Sequence, residues 1–293
     1  MLHAFAPAKI NLYLHITGKR EDGYHLLDSL VAFTNIGDMV RLEEADEFSF
    51  QLEGPMAEAL DREPSIGNLA VRAAHAFADA LAKPLNAKLI LTKKLPVASG
   101  IGGGSSDAAA TLRLLAELWH VAPTDPLLGK IAASLGQDVP CCLPAVTCYF
   151  RDIGNVTDPG PALPHTDIVL VNPNKPLPTS SVYKARRGPF TPPARLERAP
   201  KNPADLAFML QERGNGLTDA ACELVPEIRL ILAALGQTPE CLLSRMSGSG
   251  ATCFGLYPNR SAARRAASTI LAAHPDWWVV PGFVPYKAPT TTD

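Results

Sequence analysis

Several familiar signatures are missing from this 293-residue sequence, and each absence narrows what it can be. Its six cysteines, at 141, 142, 148, 222, 241 and 253, form no C-x-x-C pair, which removes the common zinc and dithiol motifs. Cys141 and Cys142 are adjacent, an awkward geometry for a bridge, so buried reduced thiols are expected. There is no charge excess: 27 basic and 29 acidic residues leave −2, so the electrostatic footprint of a nucleic-acid binder is lacking. No run of 18 apolar residues occurs, and no transmembrane helix or membrane partner is expected. Met1 to Thr17 lacks the basic region, apolar block and small-residue cleavage site of a leader. The expectation is a soluble cytoplasmic protein. Internal repeats and low-complexity tracts are also missing. At 47% hydrophobic and 19% charged residues, the composition is ordinary for a globular chain. The length suits one large or two ordinary domains, with a core that needs no disulfides.

The patterning gives a coarse outline. Ile10, Leu12, Leu14 and Ile16 alternate with Asn11, Tyr13 and His15, which predicts a half-buried strand with Lys9, Asn11 and Tyr13 on one face. Leu69, Ala73, Ala76, Phe77 and Leu81 predict a helix over 68–81, and a strand follows over 85–91. A second helix carries Ala108, Leu112, Leu115 and Trp119, with Ser105, Ser106 and Asp107 as starting residues. A third runs over 126–135 and stops at Gly136, and a strand follows over 146–150. Prolines at 159, 161, 164, 173, 176 and 178 mark a domain boundary, dividing the chain into 1–160 and 161–293. The second part reads as helices near 204–212, 217–224, 226–235 and 261–273, with strands near 242–246, 252–257 and 278–280. Strand pairs lie close in sequence without β-α-β alternation, which favours an α+β fold over a doubly wound sheet.

The densest chemical signal is Pro96-Val97-Ala98-Ser99-Gly100-Ile101-Gly102-Gly103-Gly104-Ser105-Ser106. Glycines allow close backbone approach to a ligand. A helix start offers unpaired N–H groups and the positive end of the helix dipole. A phosphate is the natural occupant, and a flexible loop before a capped helix is the plain alternative. The run is not a P-loop, which needs Gly-Lys-Ser/Thr, nor a dinucleotide fingerprint, which needs a glycine where Ser105 stands. No His-Arg-Asp or Asp-Phe-Gly of a protein kinase is present.

Pro96 to Ser106 resembles the phosphate loop of the galactokinase, homoserine kinase, mevalonate kinase and phosphomevalonate kinase superfamily. Ala6-Pro7-Ala8-Lys9-Ile10-Asn11-Leu12 resembles its first motif, and Met246-Ser247-Gly248-Ser249-Gly250-Ala251-Thr252-Cys253-Phe254 its third. The three stand in family order across the whole chain. Lys9 to Leu14, Gly23-Tyr24-His25, Gly136-Gln137-Asp138-Val139-Pro140 and Pro178 to Tyr183 resemble the diphosphocytidyl-methylerythritol kinase pattern within it.

The resemblance implies two domains, an N-terminal nucleotide-binding one and a C-terminal ferredoxin-like α/β one. It implies transfer of the γ-phosphoryl of ATP to the 2-hydroxyl of a cytidine diphosphate derivative of methylerythritol, in the non-mevalonate route to isoprenoid precursors. Asp138 is then the catalytic base and Lys9 the cation beside it, although a turn aspartate and a solvated strand-end lysine are their plain readings. Asn11 orients substrate, and Tyr24, His25, Thr179 and Tyr183 serve the cytosine end. Asn68 and Leu69 lie near adenine, unless they are simply a helix cap and its first apolar residue. Mg²⁺ is expected on the phosphates, with Ser106 and Asp138 the nearest ligands and the full ligand set unknown. A monomer or weak homodimer is the expected assembly.

Two departures from the family pattern stand out: Gly216 after Asn215, and the Cys141-Cys142 pair. Competing readings are another small-molecule kinase of the superfamily, a non-catalytic nucleotide-binding module, and a serine hydrolase. The last lacks its G-x-S-x-G elbow.

Overall fold

The computed structural model describes residues 1–60 and 67–286. It opens with two long strands, β1 (Leu2–Lys19) and β2 (His25–Glu44), which pair with each other. Every residue from Ala6 to Ile16 is buried. This corrects the expectation of a half-buried strand: the polar residues on the alternate face are covered too, and most of their groups find partners inside the protein. The chain then resolves into two compact units built from interleaved segments, whereas the sequence reading divides it once, near residue 160.

The first unit gathers Met1–Ala8, Gly37–Val97 and Gly102–Pro144. Here the end of β2 pairs antiparallel with β4 (Ala87–Thr92), from Met39 opposite Thr92 to Glu44 opposite Ala87. The strand β3 (Ser49–Glu53) joins β4 in parallel. Four helices pack on one another: α1 (Leu69–Leu81), α2 (Gly103–Leu118), α3 (Pro126–Leu135) and the short α4 (Val139–Cys142). Local chemistry sets their ends. Asn68 Oδ1 accepts from the Ala70 N–H at 2.9 Å and starts α1. Asp125 Oδ1 accepts from Leu127 N–H at 2.8 Å, Pro126 takes the first helical position, and Gly136 ends α3.

The second unit gathers Lys9–Ile36, Ala98–Ile101 and Ala145–Asp293. The first half of β2 pairs with β5 (Cys148–Asp152), which pairs with β6 (Val156–Pro159). A separate four-stranded antiparallel sheet has the order β10-β7-β9-β8, from β7 (Thr166–Asn172), β8 (Leu243–Met246), β9 (Cys253–Tyr257) and β10 (Trp278–Val284). The helices α8 (Glu227–Gln237) and α9 (Arg260–Ala273) pack on this sheet. Strand, helix, two strands, helix, strand is the ferredoxin-like unit. Three helices, α5 (Thr179–Ala185), α6 (Pro203–Gln211) and α7 (Thr218–Leu224), intervene between β7 and α8. The core of this unit includes Leu14 and Ile16 from β1 alongside Val169, Val171, Ile228, Ile231 and Ile270. The proline-marked stretch expected as a boundary therefore holds a fully buried strand, β7. Its prolines, Pro164 and Pro173, flank the strand and cost it no ladder bond. Among the described residues no helix is long and apolar enough to cross a membrane.

Candidate active site

In the first unit, the glycine run ends by opening α2. The helix begins at Gly103, not at Ser105, and its cap residue Gly102 offers no side-chain acceptor to the first turn. Those N–H groups and the helix dipole suit an anion. Ser106 is buried in that turn and its Oγ donates to the Pro7 carbonyl at 2.6 Å, tying α2 to β1. Leu69 is close by: a Cβ on Gly104 would lie 3.5 Å from Leu69 Cδ1. Asn68 caps α1, as its plain reading has it, while standing at the same end of that helix.

Beneath the loop lies an ionic cluster that sequence reading missed. Lys93 Nζ donates to Asp38 Oδ2 at 2.5 Å and to Asp107 Oδ2 at 2.8 Å, and all three residues are buried. The N–H groups of Lys94 and Leu95 donate to Asp38 Oδ1. Burial opposes the Lys93 charge, but Asp107 and Asp38 outweigh it and hold its pKa above the usual lysine value. Burial pushes Asp107 up to about 7, against the pull of Lys93 and with the help of Asp38. Asp107 is thus a member of an ion cluster and not a helix cap. Its Oδ1 is buried without a hydrogen-bond partner among the described residues.

Asp138 stands at the N-cap of α4 with φ −84° and ψ −16°, and its side chain makes no capping bond. The turn-aspartate reading gave it that capping role. Behind it, Cys141 and Cys142 are buried, and Cys141 Sγ donates to the Asp138 carbonyl at 3.1 Å. Among the described residues no cysteine is in a disulfide.

In the second unit, Lys9 is 5% exposed, with its Nζ 5.0 Å from the centre of the Phe150 ring. That rules out a solvated strand-end lysine. Two residues on, Asn11 Nδ2 donates to Ser29 Oγ at 2.8 Å, and the Asn11 N–H donates to Ser247 Oγ. Asn11 Oδ1 is buried and has no partner among the described residues.

Ser247 is the second residue of the third glycine motif, which packs against Gly100. A Cβ on Gly100 (φ +74°) would lie 2.6 Å from Gly250 O and 2.7 Å from Ser247 O. Only glycine fits that approach. Ser247 Oγ also donates to the Gly100 carbonyl at 3.2 Å, and Thr252 N–H to the Ser99 carbonyl at 3.1 Å.

Asn215 steadies this turn, donating through Nδ2 to the carbonyls of Met246 and Gly248 at 2.8 and 2.9 Å. The departure at Gly216 has a steric account. A Cβ there would sit 3.2 Å from Ile16 Cγ1, where the chain bridges β1 at Leu14.

The rings of His25 and Tyr183 lie 5.2 Å apart, tilted by 32°. Burial, then Lys19 and Arg186, hold the His25 imidazole below its usual pKa, which favours the neutral ring with one donor and one acceptor. Thr179 Oγ1 lies 2.9 Å from Ser249 Oγ, linking α5 to the third motif. Tyr24 is 54% exposed on the turn before His25, its N–H bonded to Asp22 Oδ1. Of the residues sequence reading missed, Ser247 and Ser249 sit inside a recognised motif. Asn215 stands at the family position already noted for Gly216, whereas Ser29, Asp38 and Lys93 carry no local signal.

The model of the GHMP kinases N terminal domain matches residues 68–145, and that of the GHMP kinases C terminal matches 195–276. The chain is 48% identical over 276 residues to a 4-diphosphocytidyl-2-C-methyl-D-erythritol kinase of Paramagnetospirillum magneticum, covering 94% of this chain and 96% of that one. It is 47% identical over 286 residues to the enzyme of the same name from Cereibacter sphaeroides, covering 96% and 98%. A solved structure of a 4-(cytidine 5'-diphospho)-2C-methyl-D-erythritol kinase superposes with a TM-score of 0.81 at 32% identity, covering 98% of this chain and 100% of that one. With motifs, fold and relatives in agreement, the chain belongs to the GHMP kinases and, among them, to the 4-diphosphocytidyl-2-C-methyl-D-erythritol kinase family.

Proposed function

We propose that this kinase transfers the γ-phosphoryl of ATP to the 2-hydroxyl of 4-diphosphocytidyl-2-C-methyl-D-erythritol, in the non-mevalonate route. The observation that carries the substrate assignment is the pairing of His25 with Tyr183. A cytosine needs a flat partner for its face and a hydrogen-bonding partner for its edge. Tyr183 supplies the first, and the neutral His25 ring supplies the second. Tyr24 covers the other face and Thr179 lies beside it. The same pair disfavours a mevalonate or homoserine kinase, whose substrates carry no base.

Each remaining residue has a chemical task. Residues 96–106 cradle the ATP phosphates on backbone N–H groups, with Asn68 and Leu69 toward the adenine. Asn11 Oδ1 accepts a hydrogen bond from a substrate hydroxyl. Asp138 accepts the proton of the attacking 2-hydroxyl, since an alcohol is a weak nucleophile until its proton has somewhere to go. Lys9 holds an ammonium against the charge that spreads over the transferring phosphoryl group.

Among the described residues no group of three or more His, Cys, Asp or Glu could hold a metal. This fits Mg²⁺ carried mainly by the nucleotide, with at most one or two protein oxygens, for which Ser106 and Asp138 are the candidates. Bound there, Mg²⁺ would neutralise phosphate charge. Six cysteines without a disulfide among the described residues accord with a cytoplasmic setting.

The test is an ADP-release assay with Mg²⁺ across a panel of alcohols. Turnover is expected with the cytidine diphosphate derivative alone, and equal turnover with mevalonate or homoserine defeats the assignment. Asp138→Asn should lower kcat about 10²–10⁴-fold with binding largely kept.

A further inference from the structure

We propose that Arg113 is a positioning residue for the catalytic apparatus, setting the direction of α4 and through it the Asp138 carboxylate. The argument rests on the reading of Asp138 as the base.

The helix α4 has four residues, Val139–Cys142. A single helical turn is not stable on its own, because nucleation fixes several residues for one hydrogen bond. Something outside it must hold it. At its first end is Asp138, whose side chain makes no capping bond to the helix. The backbone there is shaped by the turn bond from Val139 N–H to the Gly136 carbonyl.

At the other end is Arg113. Its Nη1 donates to the carbonyls of Cys142 at 2.9 Å and Leu143 at 3.0 Å. Its Nη2 donates to the Phe5 carbonyl of β1 at 2.8 Å. A guanidinium suits this task, since its planar fork spans several acceptors in fixed geometry. A cation also complements the negative end of a helix.

The placement gives the clamp a functional reading. Arg113 lies on α2, seven positions after Ser106, on the helix that the glycine loop opens. Seven residues are about two turns, so one rigid rod carries the phosphate loop at its start and grips α4 further along. The base and the loop are thereby referred to the same element. Because α4 is only one turn long, the grip on its last carbonyls sets where its first residue points. A misplacement of about 1 Å at a reacting group costs on the order of 10²-fold in rate.

Sequence reading gave Arg113 no role, since a lone arginine within a helical stripe carries no motif.

The experiment compares Arg113→Met, Arg113→Lys and Asp138→Asn for kcat, both KM values and melting temperature. Arg113→Met keeps length and loses the donors. It should lower kcat about 10- to 100-fold with both KM values within about twofold of the parent, because the ATP and cytidine contacts are untouched. Arg113→Lys keeps one point donor and should restore part of the rate. Parental kcat in a folded Arg113→Met, or a loss that merely follows a loss of folded protein, overturns the inference. Near-parental kcat in Asp138→Asn instead shows that the base is misassigned. A low rate there, alongside parental kcat in Arg113→Met, rejects the role of Arg113 alone.

Discussion

Asn11 carries the plainest observation behind its proposed substrate role. Its amide nitrogen and its backbone N–H are both engaged, yet its side-chain carbonyl oxygen is buried without a partner among the described residues. Leaving such an atom unmet costs about 1–3 kcal/mol, which a substrate hydroxyl would relieve. Tyr183 permits a sharper test. Stacking of a base on an aromatic ring is worth about 1–3 kcal/mol by alanine substitution, which is roughly 5- to 150-fold in affinity. The cytosine lies far from the reacting hydroxyl, so this binding should be alike in the ground and transition states. Tyr183→Ala should therefore raise KM for the cytidine substrate by about that factor and largely spare kcat. The plain alternative is a packing tyrosine, since Tyr183 also touches the core of its unit. That alternative predicts a lower melting temperature with KM intact, and steady-state kinetics beside a thermal melt separates the two.

At the scale of elements, legibility followed local chemistry. The boundaries of α3 could be read because Asp125, Pro126 and Gly136 each act on their own neighbours. By contrast, β2 was missed although it runs from His25 to Glu44. Buried polar residues such as Asp28, Ser29, Thr34 and Asp38 interrupt its hydrophobic pattern, and the partners of Asp28, Ser29 and Asp38 lie well away along the chain. The glycine loop was legible as a motif, but the Lys93 cluster beneath it was not. It joins the end of β4 to the first turns of α2 through positions 55 and 14 residues apart, and no local pattern announces that.

The cluster has a pH signature. In the folded chain Asp107 keeps its proton up to about 7, whereas an unfolded aspartate releases it near about 4. Between those values the folded state binds more protons, so stability should fall as pH rises and then level off above about 7. Asp107→Asn has no proton to lose. Its melting temperature relative to the parent should be more favourable at pH 8 than at pH 5. A difference that does not change with pH would count against the protonated carboxyl.

On the scale of the whole molecule, the two units share one chain that changes membership after residues 8, 36, 97, 101 and 144. The proline cluster suggested a single cut near 160, because composition reports where the chain bends and not which segments pack together. A fragment of residues 1–160 would contain Lys9–Ile36 without most of its own unit, and 161–293 would lack Leu14 and Ile16 from its core. Neither fragment should melt cooperatively by circular dichroism, and a sharp transition in either would restore the sequential division. The early burial of β1 also bears on synthesis. Leu14 and Ile16 are made well before core partners such as Leu217 and Ile228, which follow about 200 residues later. At about 5–20 residues per second, that is a wait of roughly 10–40 seconds with an apolar strand uncovered. A nascent chain stalled before residue 217 should therefore be a ready client for chaperones that hold exposed strands at the ribosome.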